Sequence, residues 1–251
     1  MIKIRLIPTL LLKKGHLVRS ENFIKHNIIG DPYHEVKRFN QWNVDELIYL
    51  IIDENPENTN QSIELLKNIS KSCFMPLTFG GQIKSMKDIH LRFQNGADKI
   101  TLNTYAYRKP DLVMEASKVF GKQAIVGSID YKDINGEKKI FINGGKTLID
   151  VSPIEWAKEL EKLGVGEILL QNIDRDGTAV GYDVETIELI SSSLNIPVIA
   201  LSGVGKFEHY VDGVKAGASA VSAANIWHFK EMADHLGKTV MRQHKIPIRI
   251  G

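Results

Sequence analysis

Residues 174–178 (Asp-Arg-Asp-Gly-Thr) form a short charged stretch with two carboxylates beside a glycine. The residues before it, 168–173, are apolar with little alternation, which is typical of a strand covered on both faces. In parallel α/β folds, the loops that carry ligands follow the C-terminal ends of strands. The stretch is therefore a candidate ligand-binding loop. An ordinary solvated turn is the alternative, since Asp-Gly is a common turn pair.

Glycines and small polar residues follow other predicted strands in the same way, in both halves of the chain. Free backbone N–H groups at such positions attract anions, and a helix dipole adds to the attraction. A single glycine usually marks a turn and no more, whereas two matched sets predict an elongated ligand with a phosphate at each end. The predicted phosphate-binding residues are Gly81, Gln82, Asn103 and Thr104 in the first half, and Asp176, Gly177, Gly203, Ala224 and Asn225 in the second.

The two halves of the sequence resemble each other at a constant offset of 121 residues. Identical residues recur at this spacing without gaps; they include Val44 with Val165, Glu46 with Glu167, Asp53 with Asp174, Pro76 with Pro197, and Gly96 with Gly217. A repeat that spans half the chain predicts two similar halves, each a run of strand and helix units. We place them at about 1–122 and 123–251.

Apolar strands and amphipathic helices alternate along the chain, which predicts eight strand and helix units with no linker between them. One closed parallel (β/α)₈ barrel over residues 1–251 is the economical fold. Asn135-Gly136 is a strong hairpin signal and predicts a β-hairpin inserted at about 131–148. We predict polar loops at 15–30 and 54–61 and a last helix from about residue 228.

Composition excludes several classes of protein. The 251 residues are 43% hydrophobic and 25% charged, with a formal net charge of +2. No basic run with interleaved aromatic residues indicates nucleic-acid binding, and no apolar run reaches membrane-spanning length. The single cysteine, Cys73, permits no intramolecular disulfide and fits a reducing compartment. We therefore expect a cytoplasmic protein.

Several stretches together resemble the cyclase subunit of imidazole glycerol phosphate synthase. They are Gly-Ser-Ile-Asp130, the run 174–183, Leu-Thr-Phe-Gly-Gly81, Asn-Gly-Ala-Asp-Lys99 and Trp-His-Phe229, and the resemblance covers essentially the whole chain. It implies a (β/α)₈ barrel that takes ammonia from a glutaminase bound at its N-terminal face. That ammonia cleaves and cyclises a bisphosphorylated ribulosyl nucleotide. The resemblance implies no metal and no cofactor.

The catalytic residues implied by the resemblance are two aspartates, at the ends of strands one and five, which act as general acid and base. Asp130 matches the second, but Leu11 occupies the position of the first, and leucine cannot transfer a proton. The mouth of the barrel, at the C-terminal ends of its strands, differs from the family at three more positions, Ile51, Gln171 and Asn225. Lys13 or Asp53 is the alternative source of the missing group.

The opposite end of the barrel keeps the family pattern. The resemblance implies an ammonia gate made of Arg5, Glu46, Lys99 and Glu167, and an interface with the glutaminase that includes Asp98. The alternative is a salt-bridge cluster that closes the barrel floor, because charges buried there must be paired whatever their function.

An intact gate below an altered mouth fits paralogues of this family that accompany a glutaminase and an amidotransferase in surface-polysaccharide pathways. We therefore expect a subunit that conducts ammonia for the formation of acetamidino groups on nucleotide-linked sugars. An active cyclase of histidine biosynthesis is the main alternative. The related isomerase of the same pathway, and a sensor that binds a phosphorylated ligand without turnover, are further alternatives.

Overall fold

The computed structural model describes residues 3–42, 44–53 and 59–249, and the predicted loop at 54–61 lies largely outside them. The strands of this part of the chain are β1 (Arg5–Lys13), β2 (His16–Glu21), β3 (Lys25–Gly30), β4 (Leu47–Ile51), β5 (Leu77–Gly80), β6 (Lys99–Leu102), β7 (Ile125–Ile134), β8 (Glu137–Ile142), β9 (Thr147–Ile149), β10 (Glu167–Asn172), β11 (Val198–Leu201) and β12 (Ala220–Ala223). The helices are α1 (Pro32–Trp42), α2 (Thr59–Ser70), α3 (Met86–Gln94), α4 (Thr104–Arg108), α5 (Pro110–Phe120), α6 (Pro153–Leu163), α7 (Val184–Ser191), α8 (Glu208–Lys215), α9 (Ile226–Phe229) and α10 (Ala233–Gln243).

Eight parallel strands form a closed barrel. Their order around it is β1, β4, β5, β6, β7, β10, β11 and β12, and β12 pairs with β1 to close the ring. Helices follow the strands, so the chain folds as the (β/α)₈ barrel that the alternation predicts. Within the described residues, no helix is both long and apolar enough to cross a membrane.

Two layers of apolar side chains support the barrel. The larger lies between the strands and the helices and includes Trp227, Tyr210 and Phe39. The smaller comes from the alternate residues of the barrel strands, which point inward. It comprises Ile7, Ile48, Val126, Leu169, Ile199, Leu201 and Ala220. The barrel interior is therefore an apolar core with a polar rim at each end.

The predicted loop at 15–30 is wrong, because β2 and β3 form an antiparallel hairpin there. Its turn residues, Asn22 and Phe23, adopt positive φ values of 52° and 60° without the usual glycine signal. Strand β3 is half-exposed to exposed throughout, so its sequence lacks the apolar alternation that marks a strand. The last helix, predicted from about residue 228, is instead two helices, the short α9 from Ile226 and then α10 from Ala233.

A second hairpin extends from β7, which continues beyond the barrel to Ile134 and returns as β8. Its turn at Asn135 and Gly136 has positive φ at both residues, as a tight two-residue turn requires. Lys138 on β8 forms an ion pair with Asp183, the N-cap of α7, at 3.0 Å. The hairpin is thus fixed to the rim of the barrel.

Candidate functional site

Strand β1 connects the two ends of the barrel. Its inward residues alternate from the base to the mouth in the order Arg5, Ile7, Thr9 and Leu11. Thr9 is fully buried and lies 2.7 Å from the Ser222 hydroxyl, which donates a hydrogen bond to the Ile7 carbonyl oxygen. The interior above the apolar core is therefore polar but hydrogen-bonded.

The four charged residues predicted at the base of the barrel, Arg5, Glu46, Lys99 and Glu167, lie together in a closed ring of ion pairs, the base ring. The Arg5 guanidinium donates hydrogen bonds to Glu46, at 2.7 Å, and to Glu167. The Lys99 ammonium lies 3.2 Å from the second Glu46 oxygen and 3.1 Å from the second Glu167 oxygen. Each carboxylate thus bridges both cations, and the ring carries no net charge.

Burial makes this pairing necessary. Glu46 and Glu167 are only 6% and 5% exposed, and an unpaired carboxylate there would lose its hydration without compensation. Burial lowers the pKa of Arg5, but the hydrogen bonds and charges of Glu167 and Glu46 outweigh it and raise that pKa above its ordinary value. The arginine therefore remains charged.

Asp98 is exposed at the same end, directly before Lys99. Its carboxylate accepts the Leu77 backbone N–H at 2.8 Å, which fixes its position beside the start of β5. A second buried pair joins Asp45 to Lys238 of α10 at 3.1 Å, and Asp45 also accepts the Leu6 N–H. The base is therefore rigidly organised, with one predicted interface residue facing solvent.

A pocket opens at the mouth between strands β1, β10, β11 and β12. It is lined by Thr9, Leu11, Gln171, Asp176, Gly177, Leu201, Ser202, Gly203, Val204, Ala223, Ala224 and Asn225. All five residues predicted for the second half of the mouth are brought together here. The polar side chains of the lining are one carboxylate, from Asp176, two hydroxyl groups, from Thr9 and Ser202, and two amides, from Gln171 and Asn225.

Asp130 ends the barrel portion of β7, in register with Gln171 of the pocket. Burial, opposed by a hydrogen bond from Ser128 and assisted by the negative charge of Asp176, raises its pKa to about 7. A carboxyl group with this pKa can donate or accept a proton near neutral pH.

Asp176 holds the β2–β3 hairpin across the mouth. Its carboxylate accepts the Ser20 hydroxyl at 2.6 Å and the Phe23 N–H at 3.3 Å. The Asn225 amide group donates to the Ser20 carbonyl oxygen at 3.2 Å. Burial raises the pKa of Asp176, while the Ser20 and Phe23 hydrogen bonds lower it. Gly177 lies so close to Ser20 that a Cβ there would be 2.3 Å from its carbonyl oxygen.

Leu11 lies in the pocket wall and is 5% exposed, so the position at which the resemblance implies an aspartate is apolar and buried. The two groups that could replace it are engaged with other partners. Lys13 Nζ lies 3.1 Å from His26 Nδ1, and the Asp53 carboxylate accepts the Lys14 N–H. Ile51 is buried in the core.

The residues predicted to bind the first phosphate follow β5 and β6, which pair with Gly80 opposite Thr101. Gly81 and Gln82 both have positive φ, and Asn103 donates to the Ser128 carbonyl oxygen. The Thr104 hydroxyl accepts the Asn143 N–H of the β8–β9 turn at 2.9 Å. The second hairpin therefore contacts this half of the mouth.

The second set surrounds the pocket. Ser202 and Gly203 also have positive φ, and Ala224 and Asn225 lead into α9. Among the residues that the structure describes, Ser202 Oγ and Asn225 Oδ1 are buried and have no hydrogen-bond partner. Buried polar atoms without a partner are costly and are commonly satisfied by a ligand or water.

Sequence reasoning missed Ser20 and Thr9 as parts of the mouth. Ser20 belongs to the segment 16–21, where apolar and polar residues partly alternate, and that signal could have identified β2. Thr9 interrupts an otherwise apolar strand, a position where a hydroxyl group needs an internal partner. Arg175 was also missed; it donates to the carbonyl oxygens of Gly181 and Tyr182 and braces the turn.

Comparison with known proteins places the chain among relatives of one family. The family model of histidine biosynthesis proteins matches residues 5–233. The chain is also 38% identical over 252 residues to imidazole glycerol phosphate synthase subunit HisF of Hydrogenobaculum sp. (strain Y04AAS1), and the match covers 100% of both chains.

Proposed function

The chain belongs to the histidine biosynthesis protein family, and from this premise we propose that it is an ammonia-conducting barrel subunit with impaired or absent cyclase activity. It docks a glutaminase at its N-terminal face, where the charged ring lies. It passes ammonia through the barrel to an acceptor at or beyond the mouth. The acceptor reaction is the amidination of a nucleotide-linked surface-polysaccharide sugar, which requires a separate amidotransferase.

The observation that carries this proposal is the contrast between Leu11 and the base ring. Leu11 is 5% exposed in the pocket wall, where the family's reaction needs a carboxyl group. Arg5, Glu46, Lys99 and Glu167 nevertheless form every ion pair of a closed ring. This contrast supports a subunit that retains the ammonia path but has lost a proton-transfer group of cyclisation, since leucine cannot transfer a proton.

The barrel interior supports conduction of the neutral molecule. Between the ring and the mouth, the inward side chains of Ile7, Ile48 and Leu169 form an apolar layer. A charged ammonium ion would lose its hydration there, whereas neutral ammonia loses far less. The layer therefore favours ammonia as the species that crosses.

The mouth also supports retention of a phosphorylated ligand. Ser202 Oγ presents a buried hydroxyl group, without a partner among the described residues, to the pocket. Positive-φ turns at Gly177 and at Ser202–Gly203 flank it. Arg175 stands directly behind the second turn. These features suit an anion held by backbone N–H groups and hydroxyls.

An active cyclase of histidine biosynthesis is the second candidate, and one observation favours it. Asp130 and Asp176 are both buried, and the charge of Asp176 contributes to the raised pKa of Asp130. Two coupled carboxyl groups in different surroundings can share the acid and base roles. Under this alternative, Asp176 replaces the carboxyl group that Leu11 lacks.

Turnover of the bisphosphorylated ribulosyl nucleotide with ammonium salt separates the two candidates, because ammonium removes the need for a partner. An authentic cyclase subunit serves as the reference. Loss of one member of an acid and base pair costs about 10²–10⁴-fold, so we expect a rate at least about a hundredfold below the reference. A rate within about tenfold of the reference would instead establish the cyclase.

Three variants sharpen the result. Asp176→Asn should abolish any residual turnover if the two carboxyl groups act together. Otherwise it should lower turnover only about as much as Ser20→Ala, which removes the same hydrogen bond to the hairpin. Asp111→Asn, at an exposed helix start, is the matched control and should have no effect.

A further inference from the structure

The turns after β5 and β11 share one backbone conformation although their residues differ. Gly81 and Ser202, which are related by the 121-residue offset, have φ values of +92° and +91°. The next pair, Gln82 and Gly203, also has positive φ, at 57° and 85°. Positive φ is strained for serine and glutamine, so both turns are held in place by their surroundings.

The hydrogen bond that stabilises each turn is also repeated. In the first half, the Lys84 N–H donates to Asp88 Oδ2 at 3.0 Å. In the second half, the Gly205 N–H donates to His209 Nδ1 at 3.2 Å. Donor and acceptor are four residues apart in both cases, and Asp88 and His209 again differ by 121. The same mechanical connection is therefore made by two different side chains.

His209 braces its turn in two ways. The ring is 8% exposed and lies beneath Gly181, where an added Cβ would be 3.3 Å from Nε2. The Gly181 N–H in turn donates to the Gly203 carbonyl oxygen at 2.7 Å. Because Nδ1 accepts a hydrogen bond, the ring is neutral and carries its proton on Nε2. His209 thus supports both sides of the turn that contains Gly203.

The charged surroundings of His209 fit this neutral form. Burial lowers its pKa, and the positive charge of Lys206 lowers it further, while Asp212 and Glu208 oppose the shift. The positive charge of Arg175 lies nearby, since its guanidinium donates to the Gly181 carbonyl oxygen at 3.1 Å.

The braced turn presents an unsatisfied group to the pocket. Ser202 is 6% exposed, lines the pocket, and its Oγ has no hydrogen-bond partner among the described residues. Ser202 is three residues before Gly205 and directly before Gly203, so its hydroxyl is placed by the turn that His209 supports.

We propose that His209 is a positioning residue that holds the Ser202–Gly203 turn in its anion-binding conformation by accepting the Gly205 N–H. Asp88 has the corresponding role for the Gly81–Gln82 turn. The proposal rests on the phosphate-binding role of the mouth in the proposed function. It adds that the two ends of the ligand are held by turns whose braces can be altered separately.

Titration with inorganic sulfate, followed by NMR of protein labelled with ¹⁵N-glycine, tests the proposal in the intact chain. Gly81 reports on the first turn, and Gly203 and Gly205 report on the second. In the unaltered protein we expect saturable shifts of the glycine amides in both turns. Absence of a saturable shift in either turn would overturn the predicted phosphate sites, and with them this proposal.

Two substitutions separate the hydrogen bond from the packing of the ring. His209→Phe keeps a ring beneath Gly181 but removes the acceptor, and should weaken sulfate binding at the second turn about fivefold, as for the loss of one hydrogen bond. His209→Asn keeps an acceptor of similar reach to that of Asp88, and should bind within about twofold of the unaltered protein. Gly81 should respond normally in both.

The mirrored variant Asp88→Ala should weaken binding at Gly81 and spare Gly203. A His209→Phe protein with unchanged affinity at Gly203 would refute the positioning role while leaving the phosphate sites standing. Equal weakening in His209→Phe and His209→Asn would show that ring shape, not the Nδ1 acceptor, supports the turn, and would also overturn the proposal.

Discussion

Asp130 keeps its carboxyl group in surroundings that favour the protonated form. Burial raises its pKa from 3.8 to about 7, so the folded protein binds this proton more tightly than the unfolded chain does. Between these two values the native state holds more protons than the unfolded state, and the contribution of Asp130 to stability falls as the pH rises. Above about pH 7 the contribution is constant.

The corresponding prediction concerns Asp130→Asn, which removes the titration but keeps a polar side chain of the same size. We expect the difference in unfolding free energy, variant minus unaltered protein, to increase between pH 4 and pH 7 and then level off. Urea unfolding at several pH values measures it. A difference independent of pH would contradict the raised pKa of Asp130.

The base ring makes a second prediction at the residue scale. Lys99→Ala leaves Glu46 and Glu167 with Arg5 as their shared cation, so each buried carboxylate loses one ion pair. We expect unfolding free energy to fall by about 1–3 kcal/mol, and ammonia formed by the cognate glutaminase to be delivered less efficiently. Chemical unfolding measures the first and ammonia released to solvent measures the second.

Lys215→Ala, at an exposed position of α8, is the matched control and should change neither quantity. Normal delivery of ammonia by Lys99→Ala, with the expected loss of stability, would leave the ring a purely structural cluster.

Single residues were predictable where the repeat or the family pattern marked them. Glu46 and Glu167 are marked by the 121-residue offset, and the structure brings them to the same two cations. Asp45 and Lys238 were not predictable, because their ion pair joins residues 193 apart with no repeated partner. Such contacts depend on how α10 packs below the barrel, which local patterns do not encode.

At the scale of elements, the β2–β3 hairpin lies across the mouth. It pairs with β1 through Leu11 and Val18, and it contacts the 173–177 turn through Ser20, Asn22 and Phe23. Its apolar burial is confined to β2, since Ile24 and Ile28 remain exposed. We therefore expect the hairpin to open at a lower free energy than the barrel strands beneath it.

Ser20→Ala tests this attachment. The substitution removes the hydroxyl that donates to Asp176 at 2.6 Å, and that hydrogen bond lowers the Asp176 pKa. We expect faster amide hydrogen exchange across 16–30 and a higher Asp176 pKa, with exchange in β10 unchanged. Ser193→Ala, beyond the end of α7, is the control and should leave exchange in the hairpin as it was. If amide hydrogen exchange in the hairpin is unchanged in Ser20→Ala, other contacts attach the hairpin to the mouth.

Helices and barrel strands were more predictable than this hairpin for physical reasons. Helix α6 (Pro153–Leu163) has clear signals in the sequence, since Ser152 and Glu155 form a capping box and Gly164 ends the helix with positive φ. Barrel strands are apolar on both faces, a strong signal in the sequence. Strand β3, in contrast, has little to bury, and its pairing is set by contacts with the mouth.

At the scale of the whole molecule, the N-terminal face carries an exposed aromatic residue. Phe74 is 86% exposed just before β5, and Asp98 anchors the start of the same strand. The Asn40 side chain accepts the Phe74 N–H at 3.1 Å and donates to the Ser72 carbonyl oxygen, so the backbone is fixed. A rigidly presented aromatic side chain is typical of an interface hot spot.

We therefore expect Phe74→Ala to weaken binding to the cognate glutaminase at least about tenfold. Phe229→Ala removes another exposed ring, 61% exposed after β12 at the opposite end of the barrel, and is the matched control. Calorimetric titration compares the two. Equal affinities would place the glutaminase away from Phe74.

The pairing of β1 with β12 has a consequence for synthesis on the ribosome. The first barrel strand to emerge must wait for residues 220–223 before its second edge is covered. At ordinary translation speeds this interval is on the order of tens of seconds. An uncovered strand edge is a template for other chains, and neighbouring nascent copies offer the complementary strand. The order of the strands thus favours one kind of misassembly, a domain-swapped dimer in which β1 of one copy pairs with β12 of another.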